Sequence, residues 1–409
     1  MKRWLNFKIV SKLVGILLLF FLWTCEENPV NLPLSNATLV TDTLYATFDS
    51  TYKVSKTITT LGSERLLVGS YAGFTFRTII RFSGLPTNVT IDSAWIEFST
   101  VGAIGDLSSN FTVTGYPIIN AWLADTSDVW QDYNANVDFS NPLGEILITP
   151  ETDDTLYFHF NDFGMQRLNE WADTSTGIDN NGIALDFTSA SFVKAFQARN
   201  SSQNIGPFLF VQYRDSTQNL ITDSLLSISD AFLFEGNFSP LPERNLVTTL
   251  DTWATVLQFD VQSLKQKYPE GVIVETARLE MAFDPDNTII DPDFGAKMNI
   301  LPLKSEPRDS NVVIDSSFIG VSTRTIEFSQ FNDDSTLVVV KSGNDRQALA
   351  RLYIQNMLSS EEPYTGFYVE FTQPEQFLSK FAFYRYNQQE LDKRPRLIIQ
   401  SLRLPPERL

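Results

Sequence analysis

Cysteine and histidine are almost absent from the sequence, which contains one of each among its 409 residues, Cys25 and His159. A single cysteine cannot form an intrachain disulfide, and the chain offers no His/Cys cluster for a zinc ion. A nucleophile activated by histidine would depend on His159, which lies within the apolar segment Thr155–Phe160. We therefore predict a protein without catalytic activity, while a pair of carboxylates that cleaves glycosides remains an alternative.

Basic residues are also in deficit, since 31 Lys and Arg stand against 49 Asp and Glu, a net charge of −18 at pH 7. Residues 1–24 contain four basic side chains and no acidic one, so the rest of the chain carries −22. A body this acidic repels phosphate backbones, which excludes nucleic acid as the expected partner. It also repels anionic lipid, so attachment to a membrane would need an anchor.

The N-terminal segment has the composition of an export signal. Its basic residues precede Leu13–Trp23, an apolar run shorter than the about 20 residues of a membrane-spanning helix. Leu22–Cys25 resembles a lipobox, which predicts that Cys25 carries a lipid once residues 1–24 are removed. Glu26 and Glu27 follow, as in surface-export signals of Bacteroidetes-type lipoproteins. The prediction is an outer-membrane lipoprotein, with exposure at the cell surface left open, and the alternative is an uncleaved anchor helix.

Beyond residue 40 the chain consists of short alternating segments separated by turn residues. Thr78–Phe82, Ala94–Phe98 and Phe208–Tyr213 are examples. Alternation with a period of two is typical of half-buried antiparallel strands, and helical periodicity is confined to residues 163–171 and 345–358. The predicted fold class is therefore all-β.

Five sequence landmarks occur twice in the same order. Arg77–Phe82 aligns with Ala254–Phe259, and Ile91–Phe98 aligns with Val274–Met281. An ordered repeat of this length predicts two tandem antiparallel β-sandwiches, each with a short helix. The other pairs are Glu64–Val68 with Glu243–Val247, Gln166–Phe187 with Ala350–Phe371, and Pro207–Gln212 with Pro395–Gln400.

The repeat sets the predicted domain boundaries. A polar stretch between the two copies marks the linker. The predicted organisation is a signal peptide (1–24), a tether (25–40), a first sandwich (41–214), a linker (215–228), a second sandwich (229–403) and a tail (404–409).

Several segments of the first repeat have a familiar pattern. Leu66–Gly69, Arg77–Phe82 and Ile91–Ile96, followed by Asn180–Leu185 and Pro207–Tyr213, resemble the DNRLRE, or disaggregatase-related, repeat domain. The likeness covers residues 41–213 well. It covers residues 229–402 weakly, since the second copy lacks counterparts of Trp122 and Trp130, which match the middle segment of the family pattern. It implies jelly-roll-like sandwiches that are often appended to secreted enzymes, some of them classed as carbohydrate-binding modules.

One aromatic cluster suits a glycan ligand. Trp122, Trp130 and Tyr133 lie in a polar, loop-rich stretch together with Asp128 and Gln131. Flat rings beside hydrogen-bonding side chains are typical of sugar sites, so these five are the candidate carbohydrate-binding residues. The alternative is that the tryptophans pack beneath the loop, because most tryptophan side chains are largely buried.

One acidic segment is a weak calcium candidate. Asp284, Asp286, Asp291 and Asp293 place four carboxylates within ten residues. Calcium takes about six to eight oxygen ligands, and this spacing is not that of an EF-hand. A solvated loop between strands is the favoured interpretation, and no other cofactor is expected.

These features together predict a non-catalytic cell-envelope lipoprotein that binds a polysaccharide. Its expected partners are the membrane, through the N-terminal lipid, and a polysaccharide or another envelope protein. A structural or adhesion role, with the sandwiches as a spacer or protein-binding platform, is the main alternative. A polysaccharide-acting enzyme is the third.

Overall fold

A computed structural model shows the described residues to be mostly β-structure, which confirms the predicted all-β fold class. The helix predicted at residues 163–171 is confirmed as well, since the structure has a helix at Asp162–Ala172. The structure describes residues 38–54, 58–122, 133–151, 155–201, 205–269, 271–291, 296–304, 312, 314, 323–326, 337–341, 354–359, 366–372 and 376–403.

The strands of these residues follow one another with few helices between them. The first half contains β1 (Thr38–Lys53), β2 (Arg65–Tyr71), β3 (Phe74–Phe82), β4 (Ile91–Gly105), β5 (Phe111–Pro117), β6 (Gly144–Ile148), β7 (Thr155–Phe160), β8 (Ile183–Phe187), β9 (Phe192–Gln197), β10 (Phe208–Arg214) and β11 (Leu220–Glu235). The second half contains β12 (Arg244–Thr248), β13 (Trp253–Phe259), β14 (Val272–Ala282), β15 (Ala296–Leu303), β16 (Thr323–Ile326), β17 (Leu337–Lys341), β18 (Gly366–Phe371), β19 (Lys380–Tyr384) and β20 (Arg396–Arg403). The helices are α1 (Tyr133–Asn136), α2 (Asp162–Ala172), α3 (Gln262–Lys267) and α4 (Asn356–Ser359).

The first sandwich is built from β2 to β11. One sheet holds β7, β4, β10 and the first half of β11, and the other holds the second half of β11 with β3, β8, β5 and β6. The two sheets are joined where β6 pairs with β7 and where β2 and β9, paired with each other, also pair with β3 and β4. Alternate side chains such as Ile80, Ile96 and Val211 are fully buried between the sheets. Helix α2 begins at the N-cap Asn161 and buries Leu168 against the same core.

The second sandwich has the same plan but takes its long strand from the start of the chain. Residues 38–45 of β1 pair with β20, and residues 46–53 pair with β13. β14 and β17 extend one sheet, and β18, β15 and β16 extend the other. Leu279, Phe367 and Ile399 are fully buried in its core.

β1 and β11 are therefore equivalent strands that lie in opposite sandwiches. Each has 16 residues and crosses from one sheet to the other at an irregularity, between Ala46 and Phe48 in β1 and between Ser227 and Ser229 in β11. Their sequences also align, Leu39-Val-Thr-Asp with Leu220-Ile-Thr-Asp. Each repeat thus supplies the first strand of the other repeat's sandwich.

This exchange changes two of the predicted boundaries. Residues 41–53, assigned to the first sandwich, pair with strands of the second. Residues 220–228, assigned to the linker, and residues 229–235, assigned to the second sandwich, belong to β11 and pair with β10 and β3 of the first sandwich. Sequence alternation marks both segments as strands, but it carries no information on which pair of neighbours a strand will join.

The two sandwiches contact each other through apolar and charged side chains. Leu67 and Phe76 of the first pack in one buried cluster with Leu250 and Leu378 of the second. Beside them the Arg65 Nη1 atom lies 3.3 Å from Asp291 Oδ2, with both side chains less than a tenth exposed. Ser63 Oγ and the Glu64 amide both donate to Gln376 Oε1, at 3.2 and 2.8 Å. Ordered polar contacts of this kind hold the sandwiches in register.

Residues 1–37, with the predicted signal and Cys25, lie outside the described residues. In the ranges given above, the helices are too short and too polar to cross a bilayer.

Candidate functional site

Two of the five predicted sugar-binding residues are buried. Trp122 is 3% exposed, and its Nε1 atom donates to the carbonyl oxygen of Asn181 at 2.7 Å. Tyr133 is 8% exposed, and its hydroxyl donates to Asp186 Oδ2 at 3.2 Å. Both rings pack on the outer surface of β3, β8 and β11, against Ile79. Their faces are therefore covered by protein, as in the alternative interpretation of this loop. Asp128, Trp130 and Gln131 lie outside the described residues.

An ion pair stabilises this buried aromatic cluster. Arg77 Nε lies 3.1 Å from Asp186 Oδ1, and the guanidinium stands 5.0 Å from the centre of the Tyr133 ring. Burial acts to lower the pKa of Arg77, but the Asp186 carboxylate outweighs it and raises that pKa. Burial and the same carboxylate raise the pKa of the Tyr133 hydroxyl above its ordinary value. Arg77 therefore stays charged and Tyr133 neutral, as a structural pair requires.

The calcium candidates are occupied by protein contacts. Asp284 Oδ2 lies 2.9 Å from Arg244 Nε, and Asp291 pairs with Arg65 across the contact between the sandwiches. Asp286 follows Asp284 in a short 3-10 turn, and Asp293 lies outside the described residues. In the part of the chain that the structure describes, no three metal-ligating side chains come together.

A different set of side chains forms an aromatic surface on the outer side of the first sandwich, where each member is half-buried or exposed. Ala94 and Ile96 of β4 point into the core, so Trp95 and Glu97 point outward. The neighbouring strands β7 and β10 present outward side chains at the same level. We call this surface the aromatic face; its members are Trp95, Glu97, Tyr157, His159, Phe208 and Phe210.

The rings of the aromatic face stand in two rows across the sheet. Trp95 lies between His159 on β7 and Phe210 on β10, and Glu97 lies between Tyr157 and Phe208. The Trp95 and Phe210 rings are stacked, with centroids 5.2 Å apart and planes 5° apart. Tyr157 is 47% exposed and its ring stacks on that of His159 at 6.4 Å. His159 is therefore an outward strand-face residue beside Tyr157.

The polar groups of this surface differ in how well they are satisfied. Along one border, Ser93 Oγ donates to Gln212 Oε1 at 2.8 Å, and Gln212 Nε2 donates to Thr222 Oγ1 at 3.2 Å. By contrast, the Glu97 carboxylate and the imidazole nitrogens of His159 make no hydrogen bond or ion pair with any described residue. These groups are free to bind a ligand.

The second sandwich provides an internal comparison. Its strands β14 and β20 pair as β4 and β10 do in the first, but they carry other outward side chains. Thr276 Oγ1 donates to Gln400 Oε1 at 2.9 Å, in the place of the contact between Ser93 and Gln212. The following strand positions differ between the sandwiches. Arg278 stands in the place of Trp95, Arg396 in the place of Phe208, and Glu280 in the place of Glu97.

The two arginines both form ion pairs with the Glu280 carboxylate. Arg278 Nε lies 2.8 Å from Glu280 Oε1, and Arg396 Nε lies 2.6 Å from Glu280 Oε2. The Glu280 side chain is 4% exposed as a result. The strand pairing and the bordering hydrogen bond to Gln212 or Gln400 are common to both sandwiches, whereas the aromatic face belongs to the first alone.

The sequence did not single out the aromatic face, because its members come from three separate strands. Trp95 was expected only to lie in a core or on a sheet face. A usable signal existed in the outward positions of three segments, 95 and 97, 157 and 159, and 208 and 210, each of which holds at least one aromatic residue. Only the pairing of β7, β4 and β10 shows that they meet.

No protein-family model and no curated protein matches the chain. The resemblance to the DNRLRE domain stays a prediction.

Proposed function

We propose that the protein binds a polysaccharide without catalysis, and that the aromatic face of the first sandwich is the binding surface. The observation that carries this proposal is the replacement of Trp95 and Phe208 by a closed arginine–glutamate network in the other sandwich. A sheet surface needs no exposed rings for folding, as the second sandwich demonstrates. The rings of the first are therefore better explained by a ligand.

The chemistry of the face suits a sugar chain. The C–H bonds of a pyranose ring make an apolar surface that packs on aromatic side chains, while its hydroxyls need hydrogen-bonding partners at the edge. Phe208, Phe210 and Tyr157 supply the apolar area, and Glu97, His159 and the Tyr157 hydroxyl supply polar groups. A few polar groups among aromatic side chains are the usual composition of a ligand site.

A polysaccharide array tests this proposal. Binding of the whole protein to plant, algal and bacterial polysaccharides should be compared with that of Trp95→Ala and Arg278→Ala, which occupy the same position of the two sandwiches. We expect Trp95→Ala to weaken binding about tenfold or more, as for a central aromatic contact, and Arg278→Ala to leave it unchanged. Absence of binding to every polysaccharide, or equal loss in both variants, would refute the proposal.

We further propose that the protein is held in the cell envelope by a lipid on Cys25. The export-signal composition of residues 1–24 and the lipobox-like Leu22–Cys25 support this location. Incorporation of radiolabelled lipid into the whole chain, and its loss in Cys25→Ala, is the expected result. Label retained by the variant would mean that attachment occurs elsewhere.

A structural or adhesion role is the second candidate. The reciprocal placement of β1 and β11 and the buried contact between Arg65 and Asp291 favour it, because they resist separation of the sandwiches. Such a spacer would show no dependence on Trp95.

A further inference from the structure

The carboxylate of Glu97 is the one charged group among the six residues of the aromatic face. Across the strands it faces Tyr157 and Phe208, and along β4 its neighbour on the same side is Trp95. None of its neighbours in either row is Lys or Arg. Leu226 and Ser224 end the rows on β11.

A second carboxylate flanks the same surface. Glu145 of β6 lies opposite His159 and is exposed to solvent. Like that of Glu97, its carboxylate forms no hydrogen bond or ion pair within the described ranges. The aromatic face and its border with β6 therefore carry two acidic side chains, Glu97 and Glu145. Neither row of the face contains a Lys or Arg, and the net charge of the chain is already −18.

The equivalent carboxylate of the second sandwich, that of Glu280, has its cationic partners within the protein. Its two oxygens accept one arginine each, from Arg278 and Arg396. At the equivalent place in the first sandwich, both arginine positions hold aromatic residues. Glu97 thus lacks the cations that its counterpart has, and it is ringed by side chains whose π-faces attract cations.

We propose that the bound polysaccharide is one whose sugar units carry free amino groups, so that an ammonium ion meets Glu97 between the rings of Trp95 and Tyr157. This inference rests on the proposed function and narrows its ligand class. A neutral sugar that covered Glu97 would remove a carboxylate from water with no charge to offset the loss. An ammonium group forms a charge-assisted hydrogen bond with it and is attracted to the neighbouring rings as well.

The experiment compares chitosan with fully acetylated chitin as ligands of the whole protein. The two polymers share the same backbone and differ in whether the amine is free. We expect the wild type to bind chitosan about tenfold more tightly than chitin, and Glu97→Gln to remove most of that difference by weakening chitosan binding more than chitin binding.

General attraction between an acidic protein and a polycation requires its own control. Glu275 is an exposed strand residue of the second sandwich, so Glu275→Gln removes the same charge at a distance from the aromatic face. Chitosan binding unchanged in Glu275→Gln and weakened in Glu97→Gln supports the inference. Equal effects of the two variants overturn it.

The remaining outcomes separate this inference from the proposed function. Binding of chitin or another neutral polysaccharide with no preference for chitosan, lost in Trp95→Ala, overturns the inference and leaves the proposed function standing. Binding of polylysine that depends on Glu97, with no binding of any polysaccharide, overturns both and identifies a basic protein as the partner.

Discussion

Asp49 and Asp230 occupy the same position in the two crossing strands, and each accepts a hydrogen bond from an equivalent backbone amide. Asp230 Oδ2 accepts from the amide of Arg199 at 2.8 Å, and Asp49 Oδ2 accepts from the amide of Tyr386. Both aspartates are buried, at 3% and 0% exposure. The shared contact shows that β1 does in the second sandwich what β11 does in the first.

Replacement of Asp49 should destabilise the second sandwich. Asp49→Ala removes the acceptor of the Tyr386 amide and the partner of Arg385, whose Nε lies 3.0 Å from Asp49 Oδ1. We expect the free energy of unfolding in urea to fall by about 2–3 kcal/mol, less than for a fully buried pair because Arg385 is 30% exposed.

Asp92→Ala is the control for that measurement. Asp92 lies 3.8 Å from Arg214, and both side chains are about half exposed, so its loss should cost below about 1 kcal/mol. Similar losses in the two variants would contradict a special role for the buried carboxylate.

Deletion of β1 should disrupt the second sandwich rather than the first. A chain that begins at residue 54 leaves the facing edges of β13 and β20 unpaired, while β2 to β11 keep all their strands. Amide hydrogen exchange should show lost protection in residues 244–403 and retained protection in residues 65–235.

A chain that begins at residue 38 keeps β1 and serves as the control for truncation. It should exchange like the full protein in both sandwiches. Loss of protection in residues 65–235 on deletion of β1 would instead support the boundaries expected from sequence.

Two buried carboxylates should give stability profiles of opposite slope with pH. Burial is the main reason that the pKa of Asp230 lies above its ordinary value of 3.8, although hydrogen bonds from Arg199 and Ser227 oppose it. Its folded form binds a proton more tightly, so its contribution is complete below about pH 4 and is lost as pH rises through the folded pKa. The unfolding free energy of the wild type minus that of Asp230→Asn should therefore decrease from about pH 4 to about pH 7.

Asp284 should behave in the opposite way. Burial acts to raise its pKa, but hydrogen bonds from Asn287 and Arg244 hold it below the ordinary value of 3.8. Its contribution is present above about pH 4 and is lost as pH falls through the folded pKa. Urea unfolding of the wild type, Asp230→Asn and Asp284→Asn at several pH values measures the two free-energy differences. Slopes of the same sign would refute the opposite pKa shifts of Asp230 and Asp284.

The strands themselves could be predicted from sequence because alternation is a local property. In β4, residues 94, 96 and 98 are apolar and buried while the residues between them reach solvent, as the period of two requires. The repeat could be predicted for the same reason. Thr78 and Thr255, aligned by sequence, donate to the equivalent carbonyl oxygens of Leu67 and Leu246 at 2.8 and 2.9 Å.

The candidate site could not be predicted in this way. Trp122 and Trp95 are each preceded by an alanine and followed by a leucine or isoleucine, yet Trp122 is buried beside Tyr133 and Trp95 stacks with Phe210 on an outer surface. Burial of a side chain depends on which segments fold over it, and those segments are distant in sequence.

By itself the sequence determined an all-β chain of two related halves, an acidic surface and an N-terminus typical of export. Only the tertiary structure decided that β1 and β11 lie in opposite sandwiches, and that three strands assemble the aromatic face. The physical reason is that alternation specifies the two sides of a strand, whereas its neighbours are chosen by the packing of the whole core.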